Sequence, residues 1–130
     1  MHISVVSLYV DDVDRAIDFY TNKLGWQKTM DAPMGEGARW VTVAPAADQT
    51  AFTLALAGSG MAQDKKAGGF SGVIIETDDV FAASDRLKKL GIEITDGPRN
   101  EPWGGWASFK DSEGNEHGLH SPVAAGVSAN

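Results

Sequence analysis

The sequence predicts an α+β fold of two tandem βαβββ modules curled into a half-open barrel with a concave pocket. Three observations predict it. Asp11-Asp12-Val13 opens a helix-like stretch that closes on Lys23-Leu24-Gly25, and about 67 positions later Asp78-Asp79-Val80 opens another that closes on Lys89-Leu90-Gly91. A β-branched or aromatic run precedes each helix, and three further strand-like runs follow it. Turn-forming residues punctuate those runs. Two copies of one supersecondary unit pack about a pseudo-twofold axis, so a ligand is expected where the copies meet.

The first strand spans Ile3 to Val10 and carries Val5, Val6, Leu8, Tyr9 and Val10. Asp11 or Asp12 offers a carboxylate to the free amides of a helix start, and Val13, Ala16, Ile17, Tyr20 and Leu24 recur at helical spacing. Gly25 supplies the left-handed stop. Trp26 to Met30, Arg39 to Ala44 and Ala51 to Ala57 read as strands, separated by a Pro33/Gly35/Gly37 loop and a Pro45 to Gln49 turn. Residues 58–69 have linker composition and separate a module at about 3–57 from one at about 70–121. The second module repeats the plan: strand Gly72 to Thr77, then helix Asp79 to Leu90 with Val80, Ala83, Leu87 and Leu90 inward. Strands near Ile92 to Thr95, Trp106 to Lys110 and Glu116 to His120 follow, with residues 97–105 as a loop. Asp111 to Asn115 is a hairpin turn, and Val123 to Asn130 reads as a fraying end.

At 130 residues the chain is one domain by length, able to bury roughly 68% of the surface exposed by its unfolded form. It contains no cysteine, which excludes disulfides, thiolate chemistry and cysteine-ligated metal centres. Met1-His2-Ile3-Ser4 is no signal start, and no segment approaches the roughly 18 apolar residues of a membrane span, so a soluble cytoplasmic protein is expected. Eighteen acidic against eleven basic residues give a net charge of -7, which argues against nucleic acid as a partner and would attract a cationic ligand.

The chain resembles the vicinal oxygen chelate superfamily, which includes glyoxalase I, extradiol dioxygenases, fosfomycin-resistance enzymes and bleomycin-resistance proteins. The markers are Leu8-Tyr9-Val10-Asp11-Asp12, Phe19-Tyr20, Leu24-Gly25, Thr77-Asp78-Asp79-Val80, Leu90-Gly91, Pro102-Trp103-Gly104 and Phe109-Lys110-Asp111-Ser112-Glu113-Gly114-Asn115. In metal-dependent members, ligands project from the first and last strands of each half. The resemblance places Val5 and Gly72 at the first-strand positions, with Ala55 and Gly118 at the closing-strand positions. None of the four coordinates a metal, so no cofactor is expected.

Alternation of side chains along strands puts Ser7, Tyr9, Thr53, Ile74, Glu76, Glu116 and His120 on the pocket side. Glu76, Glu116 and His120 together have the chemistry of a divalent-metal site. His117 is one residue out of phase and is expected to face the helix layer as hydrogen-bonded structure, while His2 sits solvated at the terminus. The same alternation places Trp40, Thr42, Trp106 and Ser108 on the concave side, with Trp103 on the preceding loop at its rim. Large planar side chains suit stacking on an aromatic ligand. Trp26, after the helix stop, reads as structural.

No nucleophile elbow, phosphate-binding glycine loop or His-Glu-Xaa-Xaa-His motif is present. Superfamily members without metal ligands include homodimeric drug-binding resistance proteins that sequester bleomycin-like or mitomycin-like antibiotics. That resemblance implies a metal-free homodimer binding an aromatic or cationic natural product through Ser7, Tyr9, Trp40, Thr42, Thr53, Trp103, Trp106, Ser108 and His120. The alternative is a metal-dependent glyoxalase-like lyase, isomerase or dioxygenase using Glu76, Glu116 and His120. A metal-free enzyme using Tyr9 and pocket acids for proton transfer is a third reading.

Overall fold

A computed structural model describes residues 1–123. The chain divides into two compact units, Met1–Gly68 and a second starting at Gly69. In the first, β1 (Val5–Val10), α1 (Val13–Asp18), β2 (Gln27–Pro33), β3 (Arg39–Ala44) and β4 (Ala51–Leu56) form a sheet of order β1-β4-β3-β2 beneath the helix. In the second, β5 (Gly69–Glu76), α2 (Val80–Lys89), β6 (Ile94–Glu101), β7 (Gly104–Lys110) and β8 (Asn115–Ser121) form a sheet of order β5-β8-β7-β6. Each unit is a βαβββ module whose first and last strands pair parallel and whose hairpins pair antiparallel. Neither sheet closes on itself.

Both helices start as the aspartates require. Asp12 Oδ1 accepts the Arg15 amide at 3.0 Å, and Asp79 Oδ1 accepts those of Phe81 and Ala82 at 2.9 and 3.3 Å. The helices nonetheless differ by one residue, because Asp11 and Asp78 are 67 apart while Gly25 and Gly91 are 66 apart. The additional residue is absorbed as a π-helical turn, Phe19–Lys23, so the single helix expected to run on to Leu24 changes hydrogen-bonding pattern midway. Leu90, expected inward, is 42% exposed, because α2 ends at Lys89 and Leu90 is its C-cap, outside the helix whose Leu87 is buried.

Alternation sorts each sheet into a face under its helix and an open face. Leu8, Val10, Val41, Val43, Phe52 and Leu54 pack under α1 with Ala16 and Tyr20. Trp26 stacks on Phe52 at 5.7 Å and lies 5.2 Å from Tyr20, in the structural role expected of it. In the second unit Val80, Ala83, Leu87, Ala107, Phe109, His117 and Leu119 are buried. Gly105 lets α2 sit directly on β7, since a Cβ there would stand 2.5 Å from Val80 Cγ2.

Three sequence boundaries move. Residues 97–105 are not a loop: β6 runs through them to Glu101, and Pro102 and Trp103 make a tight turn into β7. Its polar Asp96-Gly97-Pro98-Arg99-Asn100 carries no strand pattern because an edge strand pairs on one side only. β2 likewise reaches Pro33. Strand β5 begins at Gly69, three residues before the expected start, and the preceding segment holds a short 3-10 turn, Gly60–Ala62. Of the end expected to fray, all but Val123 lies outside the described residues.

Candidate functional site

The open face of the second sheet gathers an aromatic and charged cluster. Parallel pairing sets Glu76 beside His120, and antiparallel pairing sets Trp106 on the other side of His120. His120 Nδ1 lies 2.6 Å from Glu76 Oε1, and Nε2 lies 2.9 Å from the Trp103 carbonyl. A carbonyl and an ionised carboxylate can only accept, so both bonds are satisfied when His120 is an imidazolium. The Trp103 carbonyl, and next the Glu76 carboxylate, raise its pKa above the ordinary histidine value. The ring stacks on Trp103 at 5.9 Å, and Trp103 meets Trp106 edge-on at 5.7 Å.

Trp106 Nε1 donates to Asp96 Oδ2 at 3.1 Å, while Arg99 bridges Asp96 and Glu101, each at 2.6 Å. Asp96, Arg99 and Glu101 escaped sequence reasoning because their segment reads as a loop. The only sequence signal was the Asp96-to-Trp106 spacing, which becomes meaningful once a hairpin is assumed. Ser108, expected to meet a ligand, is 7% exposed and shares a 2.7 Å hydrogen bond with Thr95.

The first unit shows the same pattern with smaller side chains. Ser7, Thr53 and Thr42 lie in one cross-strand row, and the Thr42 hydroxyl is 2.6 Å from that of Thr29. Thr42 and Thr53 are buried, so their hydroxyls serve the sheet more than the surface. A cavity of about 360 Å³ opens beside them, lined by Val5, Met30, Trp40 and Thr42 and rimmed by His2 and Asp48. Ser7, Tyr9 and Thr53 do not line it. Tyr9 instead faces Lys65, whose ammonium lies 5.9 Å from the ring centroid.

His117 lies on the helix side, as its phase predicts. Its Nδ1 is 2.7 Å from Ser71 Oγ, its Nε2 is 3.9 Å from Asp111 Oδ2, and the ring is fully buried. Burial pulls its pKa down to about 4 against the opposing pull of Asp111, so the imidazole is neutral at pH 7.

A family model described as the Glyoxalase/Bleomycin resistance protein/Dioxygenase superfamily matches residues 2–118. The chain belongs to this superfamily. Among solved structures, TnmS3, an antibiotic binding protein from Streptomyces sp. CB03234, is 36% identical with a TM-score of 0.81, over 95% of this chain and 97% of that one. A superfamily member from Sphaerobacter thermophilus DSM 20745 is 31% identical with a TM-score of 0.85, over 93% and 97%. The uncharacterized YetH of Bacillus subtilis (strain 168) is 32% identical over 117 residues, 87% of this chain and 92% of its own.

Strand register refines the metal positions that the superfamily implies. Ser7 pairs with Thr53 as Ile74 pairs with Gly118, and Thr42 pairs with Thr53 as Ser108 pairs with Gly118. The counterpart of Gly118 is therefore Thr53, and Ala55, chosen from sequence, is the counterpart of His120. The corrected set is Val5, Thr53, Gly72 and Gly118, which lacks any imidazole or carboxylate and does not fit a divalent ion. The substitute set also disperses. Glu76 and His120 touch, but Glu116 lies four residues before His120 on β8, about 13 Å along the strand. Among the described residues, no three His, Asp or Glu side chains gather to hold a metal.

Proposed function

We propose that this chain is a metal-free, homodimeric, cytoplasmic protein that binds an aromatic natural product and sequesters it without chemical change. The observation that carries this reading is the Trp103–Trp106–His120 cluster on the open face of the second sheet. Trp103 is 53% exposed and Ile74 57%, an exposed apolar surface of the kind that stacks on a flat ligand. The likeness to TnmS3, an antibiotic binding protein, supports an antibiotic as the ligand. In the first unit, Trp40 lines a cavity of mixed polar and apolar character, a second surface available to such a molecule.

Titration with aromatic antibiotics tests the reading through quenching of intrinsic tryptophan fluorescence. Trp106→Ala is expected to weaken binding at least tenfold, about 1.4 kcal/mol. Full affinity in that variant, or chemical conversion of the ligand on prolonged incubation, would overturn it.

A further inference from the structure

We infer that Gly118 is the positioning residue of this face, and that the platform it sets takes a neutral planar aromatic ligand in preference to a cationic one. The ligand class rests on the binding reading above; the positioning role does not. A glycine inside a strand is unfavourable unless the backbone or a neighbour needs it. The φ of Gly118 lies outside the left-handed region, so its backbone makes no such demand. The neighbour does. A Cβ at 118 would stand 2.5 Å from Cη2 and 3.0 Å from Cζ3 of Trp106, and 3.2 Å from Ile74 Cγ1. The distal edge of the indole therefore occupies the space that a side chain would take.

The repeat supplies an internal control. Trp40 stands two residues before Thr42 as Trp106 stands two before Ser108, and Thr42 and Ser108 pair with Thr53 and Gly118 respectively. Thr53 carries the Cβ that Gly118 lacks, so Trp40 cannot lie down over it in the same way and instead lines a cavity with Val5 and Met30. The side chain missing at Gly118 thus directs two equivalent tryptophans to different uses.

The ligand class follows from the charges around Trp106. Glu76 is held by His120, Asp96 by Arg99 and the Trp106 N–H, and Glu101 by Arg99. Each of these carboxylates already has a cationic partner, Arg99 or the His120 ring, so a cationic ligand finds their charge largely compensated. A neutral planar ring needs only to cover Ile74 and the two indoles.

The test is a double-mutant cycle on the full chain at positions 106 and 118, read first without ligand. Near-UV circular dichroism is expected to show a Trp103–Trp106 signal that Gly118→Ala abolishes. In a Trp106→Ala background, Gly118→Ala is expected to change nothing. An unaltered spectrum in Gly118→Ala overturns the positioning role. Precipitation of that single variant alongside a folded double variant supports it, as rescue by removal of the clashing ring. Quinizarin, neutral and planar, and acridine orange, cationic and planar, then read the ligand class by fluorescence quenching. Quinizarin is expected to bind more tightly, and at least tenfold more weakly to Gly118→Ala. Tighter binding of acridine orange overturns the ligand class, and no quenching by either overturns the binding reading itself.

Discussion

His117 and His120 stand three residues apart on one strand and respond to pH in opposite directions. His117 is buried and neutral, with its pKa depressed to about 4 against an unfolded value near 6.5. Below that unfolded value the denatured chain binds a proton that the native state refuses, so stability is full above pH 6.5 and is lost progressively toward pH 4. Thermal melts are expected to show the midpoint falling across this window. His117→Leu should flatten the slope, and an equal slope in that variant would assign it elsewhere. His120 has a raised pKa, so its contribution is present below its unfolded value and is lost as pH rises through the folded one. The near-UV signal of Trp103 should fade over that range, and Glu76→Gln should shift the midpoint to lower pH, measurable by proton NMR of the ring.

Helix caps and strand phases were legible in the sequence because each depends on near neighbours. Asp79 caps α2 through two amides, so Asp79→Ala is expected to cost about 1 kcal/mol, read as a lower thermal midpoint with the same folded spectrum. The alternation of Trp40 and Thr42 against Val41 and Val43, and of Trp106 and Ser108 against Ala107 and Phe109, was visible for the same local reason. What escaped was set by pairing. Strand β6 is polar and interrupted by Gly97-Pro98, and it is a strand only because β7 supplies its hydrogen bonds. With it went Asp96, Arg99 and Glu101, three of the five charged side chains around Trp106. The π-turn that follows α1 was present in the sequence as the change from a 67- to a 66-residue offset, a difference whose structural form required the hydrogen bonds to be seen.

At the scale of the whole molecule, the repeat identifies the superfamily while its register argues against the metal chemistry found in part of it. The implied ligand positions, two in each unit, carry Val5, Thr53, Gly72 and Gly118, and the acid–imidazole contact on the open face of the second sheet, Glu76–His120, is spent holding the Trp103 turn. Binding should therefore be indifferent to chelation. Protein purified without chelator is expected to hold less than stoichiometric divalent metal by elemental analysis, and to bind its aromatic ligand with affinity unchanged within about twofold after dialysis against EDTA. The thermal midpoint should not move either, since a bound ion at saturating concentration would stabilise the native state and its removal would show. A stoichiometric ion that is lost in Glu76→Ala, together with binding that EDTA abolishes, would restore the metal-dependent alternative. Salt gives an independent check at the same scale. A net charge of -7 would make the binding of a cation weaken as ionic strength rises, whereas a neutral ring held by indoles should bind almost equally at 0.05 and about 0.5 M salt.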